Sequence, residues 1–254
     1  MNEDMKTKIL FALFAAVICF SACEFDNYEA PNALYSGTLL YNGKAMPFDA
    51  RTSRSPFLFY QSGYQITDTG YDMAMKFDGT FSQNLFAGEN YKLTLKNRDY
   101  PFEIEEFPKL AGGGYDTLYV NDVKGNIQKD FHVTPYYDIS NVSAKVTDGK
   151  IEATFTVSKV PGTKYPAPAI RRLWIYVHPT ILCSSAAGAN GSFTPEAGFQ
   201  NGNVTVSVPV ANYRKAYPTR TDTQAYYRVG IELDINYDTK LLSEPLIITG
   251  VPLT

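Results

Sequence analysis

The residue types able to do chemistry at neutral pH are few in this chain: two histidines, three cysteines and 26 acidic residues. A hydrolytic triad needs a base that can take a proton near neutrality and a nucleophile beside it. His132 lies in HVTPYYDIS and His178 precedes Pro179, and neither stands near a G-x-S-x-G nucleophile turn. No H-x-x-x-H or C-x-x-C spacing exists to hold zinc, so no metal and no cofactor is expected. Glu232, Asp234 and Asn236 suggest calcium, but alternate residues of a strand sit ~6.6 Å apart. Calcium needs all its oxygens at ~2.3–2.6 Å, so a solvated outer face is the better reading of the three. Glu103, Glu105 and Glu106 could supply the carboxylate pair of a glycoside hydrolase, and their clustering equally suits a charged loop. AGGGY (111–115) lacks the Lys-Ser/Thr of a phosphate-binding loop.

The richest cluster is aromatic. RDYPFEIEEFPKLAGGGYD holds Tyr100, Phe102, Phe107 and Tyr115 in a stretch with little strand alternation. Rings presented by a loop can stack on the apolar face of a sugar while neighbouring carboxylates accept its hydroxyl hydrogens. These four are the candidate ligand-binding residues, the alternative being that they close the end of a sandwich. Trp174 is expected in the core between sheets. Catalytic residues are not assigned, and a net charge of −3 with pI near 5.5 argues against a nucleic-acid partner.

The elements that must position these side chains read as strands. Tyr91, Leu93 and Leu95 alternate with polar residues, as do Ile151, Ala153, Phe155 and Val157. Val204 to Val210 and Tyr227 to Ile235 follow the same period, with turn pairs Asn42-Gly43, Asp78-Gly79, Asp148-Gly149 and Asn201-Gly202 between runs. Helical periodicity is hard to find, so the chain reads as all-β. Pro135 interrupts the alternation and suits a short, stiff linker, which places one β-sandwich over 31–135 and another over 136–254.

Ahead of them, Ile9 to Ala22 is an uncharged run of 14 residues. A helix crossing a bilayer needs about 20. Lys6 and Lys8 before the run and Ser21 and Ala22 after it have the layout of a secretory signal. FSAC (20–23) resembles a bacterial lipobox, with Phe at the usual Leu. That resemblance implies a signal peptide over 1–22, acylation of Cys23 and a tether over 23–30. Cys19 would leave with the signal, so Cys183 would remain alone, without a disulfide partner.

SGTLLYNGKAMPF (36–48) and FDGTFSQNLFAGENYKLTL (77–95) resemble the prealbumin or carboxypeptidase-regulatory sandwich. IRRLWIYV (170–177), the valine strand and YYRVGIELD (226–234) resemble strands C, E and F of an immunoglobulin or fibronectin type III sandwich. With CEFDNYEAPN and HVTPYYDIS, nearly the whole chain resembles the two-domain lipoproteins of unknown function from Bacteroidota, encoded beside starch-utilisation-type uptake pairs. The resemblance implies a non-enzymatic, outward-facing outer-membrane lipoprotein that aids glycan or nutrient capture. Its implied partners are the membrane, polysaccharide and outer-membrane uptake proteins. An adhesin-like or scaffold protein, or a carboxylate-based hydrolase, are the alternatives. Feeding cells labelled palmitate should mark the wild-type protein and not Cys23→Ala; equal labelling of both would remove the lipid anchor.

Overall fold

The computed structural model describes residues 30–49, 55–61, 70–88, 91–236 and 239–253, so Cys23 and the signal and tether segments lie outside the described residues. The first unit opens with β1 (Ala33–Tyr41), whose alternate residues Ala33, Tyr35 and Leu39 are buried. Around it are β2 (Lys44–Ala45), β5 (Thr80–Leu85), β7 (Phe102–Ile104), β9 (Gly125–Gln128) and β10 (Phe131–Pro135). The first half of β1 pairs with β5 antiparallel and β9 parallel, and its last residues pair with β2 and β10. A second sheet in the order β4-β3-β6-β8 covers it: β3 (Phe57–Tyr60), β4 (Tyr71–Asp72), β6 (Tyr91–Leu95) and β8 (Thr117–Val120).

Phenylalanine fills the space between these sheets. The Phe57 ring lies 5.1 Å from Phe131, 5.5 Å from Phe81 and 5.9 Å from Phe107, and Phe81 stacks on Phe131. Offset and tilted pairs of this kind add about 0.5–1.5 kcal/mol each beyond their area. Gly37 makes that packing possible. A Cβ there would sit 1.9 Å from the Lys129 carbonyl and 2.6 Å from the Phe81 ring, so the glycine of S-G-T is required by close approach.

The second unit has a three-stranded sheet of β11 (Tyr137–Thr147), β12 (Lys150–Lys159) and β15 (Gly202–Pro209). Facing it are β13 (Ile170–His178), β14 (Ala189–Phe193), β16 (Ala225–Leu233), β17 (Leu241–Leu242) and β18 (Leu246–Ile248). Ile151 is in register with Val208, Ala153 with Val206 and Phe155 with Val204, and all six are buried. The fold is all-β, with two tandem β-sandwiches.

Three local expectations change. The strand read through Val210 stops at Pro209, which has no N–H for a ladder, and α1 (Val210–Ala216) follows with Val210 and Tyr213 buried one turn apart. The stretch from Asn97 to Tyr115 is not all loop, because β7 pairs with β10 through Val133–Ile104 and Pro135–Phe102. Only Tyr136 separates β10 from β11, so HVTPYYDIS is strand on both sides of one residue rather than a linker.

No described strand pairing crosses Tyr136, yet buried residues of both sandwiches form one contiguous apolar cluster. On β16 the alternation fails, since Arg228 is 0% exposed between Tyr227 and Val229. Its Nε donates to the Ser243 carbonyl (2.6 Å), and its Nη1 donates to the carbonyls of Cys183 (3.3 Å) and, in the first sandwich, Phe48 (3.1 Å). The next residue, Asp49, is equally buried and accepts hydrogen bonds from the Ser185 N–H and hydroxyl. Burial pulls the guanidinium down to about 10, which leaves it charged at neutral pH, and the Asp49 charge opposes that fall. Arg228→Ala would leave three carbonyls facing a void and remove the positive charge that offsets buried Asp49. It should cost about 3–5 kcal/mol in a denaturant titration of the whole chain; a loss under about 1 kcal/mol would show that the junction does not depend on this group.

Candidate functional site

A cleft of about 440 Å³ opens between the sandwiches, and all four aromatic residues singled out from the sequence line it. Tyr100, Phe102 and Phe107 are 3%, 4% and 1% exposed and form the floor, while Tyr115 is half-buried. The floor rings are packed on both sides. Phe102 lies 6.5 Å from Phe48, Phe107 lies 5.3 Å from Phe131, and the Tyr100 hydroxyl donates to the carbonyls of Lys96 (2.9 Å) and Pro56 (3.3 Å). Three of the four therefore close the end of the first sandwich, and are not rings carried freely on a loop.

The walls were not legible in the sequence. Tyr136 comes from the junction and Tyr165 from the loop between β12 and β13, so the cleft exists only where the sandwiches meet. Glu103 fastens that loop: one carboxylate oxygen accepts from the Tyr165 N–H at 2.8 Å and the other from the Lys164 N–H at 3.0 Å. Lys109, paired with Asp99 at 3.1 Å, holds its ammonium 5.9 Å from the Tyr115 ring and 5.2 Å from the Tyr165 ring. It bridges the two walls by cation–π attraction. Burial, with the charge of Glu103 as the next cause, pushes the Tyr136 hydroxyl up to about 12, and burial likewise raises Tyr115. Both phenols stay protonated at neutral pH, and Tyr115 donates its hydrogen to the Arg98 carbonyl at 2.8 Å. The cleft thus offers aromatic surface, phenol groups and charges of both signs at the rim, which is the chemistry that holds a polyhydroxylated ring.

A larger groove, about 520 Å³, runs along the β1–β2 hairpin and the first residues of β11, with Tyr41 and Tyr137 as its aromatic lining among the described residues. The aromatic cleft is smaller and chemically better furnished.

The remaining candidates take structural places. Glu106 accepts from the His132 N–H (3.1 Å) and contacts its Nδ1 at 2.9 Å, and that hydrogen bond and charge raise the imidazole above its ordinary value. Glu103 and Glu106 are both engaged as fasteners, and Glu105 lines the cleft with Glu103. Cys183 is fully buried, donates to the Tyr176 carbonyl at 3.3 Å and is pushed up to about 12 by burial, so it is unreactive. His178 contacts Thr180 and meets the Tyr217 ring edge-on. Among the described residues no group of three or more His, Cys, Asp or Glu could hold a metal ion.

Trp174 differs from expectation. Leu173, Ile175 and Val177 point between the sheets, which turns Trp174 to the outer face. Its ring stacks on Tyr176 (5.7 Å, 14°) beneath the cations of Arg172 and Lys240, and its Nε1 donates to Glu232 at 2.6 Å. That contact also places Glu232 of the acidic series.

Residues 33–134 match the N-terminal domain of a protein family of unknown function, DUF3823, and residues 137–239 match that family's C-terminal domain. The chain belongs to the DUF3823 family. A family member from Parabacteroides merdae superposes with a TM-score of 0.65 at 24% identity, over 87% of this chain and 100% of its own. One from Bacteroides ovatus gives 0.61 at 26% identity, over 88% and 100%. A Bacteroides uniformis structure, described provisionally as a carbohydrate binding protein, gives 0.63 at 13% identity, over 87% and 100%. No curated protein matches the chain.

Because Tyr100 is floor and hydrogen-bonded, Tyr100→Ala should cost about 3–5 kcal/mol, whereas Tyr165→Ala, a half-buried wall, should cost under about 1 kcal/mol. Urea melts of the two variants check this, and equal losses would make the wall part of the core.

Proposed function

We propose that this DUF3823 protein is a non-catalytic, lipid-anchored surface protein that captures glycan in the cleft between its two sandwiches. The observation that carries the reading is the cleft itself: about 440 Å³ with the half-buried rings of Tyr115 and Tyr165 on facing walls and the buried rings of Tyr100, Phe102 and Tyr136 beneath them. Most ligand sites of this size combine apolar walls with a few placed polar groups, and junctions between domains are favoured positions for them. Glu103 and Lys109 hold the walls in place before any ligand arrives, which lowers the ordering cost of binding. The provisional carbohydrate assignment of the Bacteroides uniformis structure agrees with this reading. FSAC at 20–23 supplies the anchor, and an uptake apparatus at the outer membrane is the natural recipient of captured glycan.

Isothermal titration of the mature chain with neutral and acidic oligosaccharides of two to four sugars tests the cleft. At least one should bind, and Tyr165→Ala should weaken it by up to about tenfold, the scale of one aromatic stack, with the melting temperature unchanged. Binding that Tyr165→Ala leaves untouched would place the glycan elsewhere, and no binding by any oligosaccharide would remove the capture reading.

A further inference from the structure

The outer face of the β4-β3-β6-β8 sheet carries a second arrangement of rings. Phe57, Phe59, Tyr91 and Leu93 point inward, which turns Tyr60, Lys92 and Tyr119 outward. The register sets these three directly opposite one another, Tyr60 against Lys92 and Lys92 against Tyr119, in one row across three strands. Tyr119 is 61% exposed and the Lys92 ammonium lies 5.8 Å from its ring centroid. At the other end of the row the Tyr60 ring rests on Gly70, where a Cβ would come within 2.9 Å of its Cζ and 3.0 Å of its Cε2. Glycine lets that ring lie down on the backbone.

The carboxylate of Asp72 is taken by Lys96 at 2.8 Å, and no carboxylate among the described residues pairs with Lys92. The row therefore offers a ring, an ammonium without a carboxylate partner among the described residues, and a second ring. With strands ~4.8 Å apart, the two tyrosines stand ~10 Å apart. That matches two pyranoses of an extended, ribbon-like chain, so alternate sugars can meet the two rings while the one between them faces Lys92.

We propose that this face is a second binding site, for an extended β-1,4-linked polysaccharide that bears carboxylates. Tyr60 and Tyr119 stack on alternate sugars and Lys92 pairs with the acid group between them. The proposal rests on the glycan reading of the cleft and extends it to polymers. β8 begins two residues after Tyr115 of the cleft, and Tyr119 follows Tyr115 by at most ~13 Å of extended backbone. One polymer can engage both places, and the second contact then becomes intramolecular.

Affinity electrophoresis of the mature chain through polymannuronate and β-1,4-mannan tests it, because the two polymers share a backbone and differ in the carboxylate. Wild type should be retarded more by polymannuronate. Tyr119→Ala should lose about fivefold or more on both polymers, a loss within the range of one aromatic stack. Lys92→Met, which keeps the aliphatic stem, should lose only the preference for polymannuronate. Melting temperatures should not move, since both side chains are exposed. Equal retardation by the two polymers, or none by either, overturns the proposal. So does full binding by Tyr119→Ala and Lys92→Met alongside a loss in Tyr165→Ala, a result that keeps the cleft. Loss in the sheet-face variants with none in Tyr165→Ala keeps the face and removes the cleft.

Discussion

A guanidinium with no access to water fixes how the two sandwiches meet. An ion the size of Arg228 loses several kcal/mol of hydration on burial, and that loss is tolerable only where oxygens replace the water. Ser243, Cys183 and Phe48 supply carbonyls, and the neighbouring Asp49 supplies the opposite charge. Two of those groups belong to the first sandwich, so the stabilisation is available in one relative orientation. The aromatic cleft depends on that orientation, because Tyr115 and Tyr165 come from different sandwiches and face each other only when the junction is closed.

Four carboxylates among the described residues act as fasteners. Glu103 clamps the Lys164–Tyr165 backbone, Glu106 holds His132, Asp49 holds Ser185 and Glu232 fixes the Trp174 indole. Each accepts hydrogen bonds from groups that would otherwise stay mobile or unsatisfied, and charge-assisted bonds of this kind are roughly twice as strong as neutral ones. These four side chains, of a type that reads as reaction chemistry in a linear sequence, spend oxygens on architecture.

Strand alternation was readable wherever one face is buried and the other wet. Ile151 to Val157 and Val204 to Val208 followed the period, and Asn42-Gly43 and Asp148-Gly149 both take positive φ in the tight turns that join β1 to β2 and β11 to β12. The reading failed where a second sandwich covers the outer face. Arg228 sits at a position the period assigns to solvent, and nothing local to YYRVGIELD tells that Phe48, 180 residues earlier, will cover it. The same limit applies to the cleft. RDYPFEIEEF marked the floor through its ring density, whereas Tyr136 and Tyr165 look ordinary in sequence and become walls only through long-range contact. Trp174 was misplaced for a smaller reason: its strand is apolar on both faces near the junction, and the alternation that separates in from out is lost.

The place of β1 has a mechanical consequence. The strand lies inside its sheet, held by β5 along one edge and β9 along the other over the same residues, Ala33 to Ser36. A pull applied ahead of Ala33 acts along the strand axis, across the perpendicular bonds to β5 and the slanted bonds to β9, and loads them together in shear instead of peeling them one after another. Resistance to such a pull is set by the rate of crossing that barrier and not by equilibrium stability. Tension entering at the N-terminal side of β1 therefore meets two ladders at once.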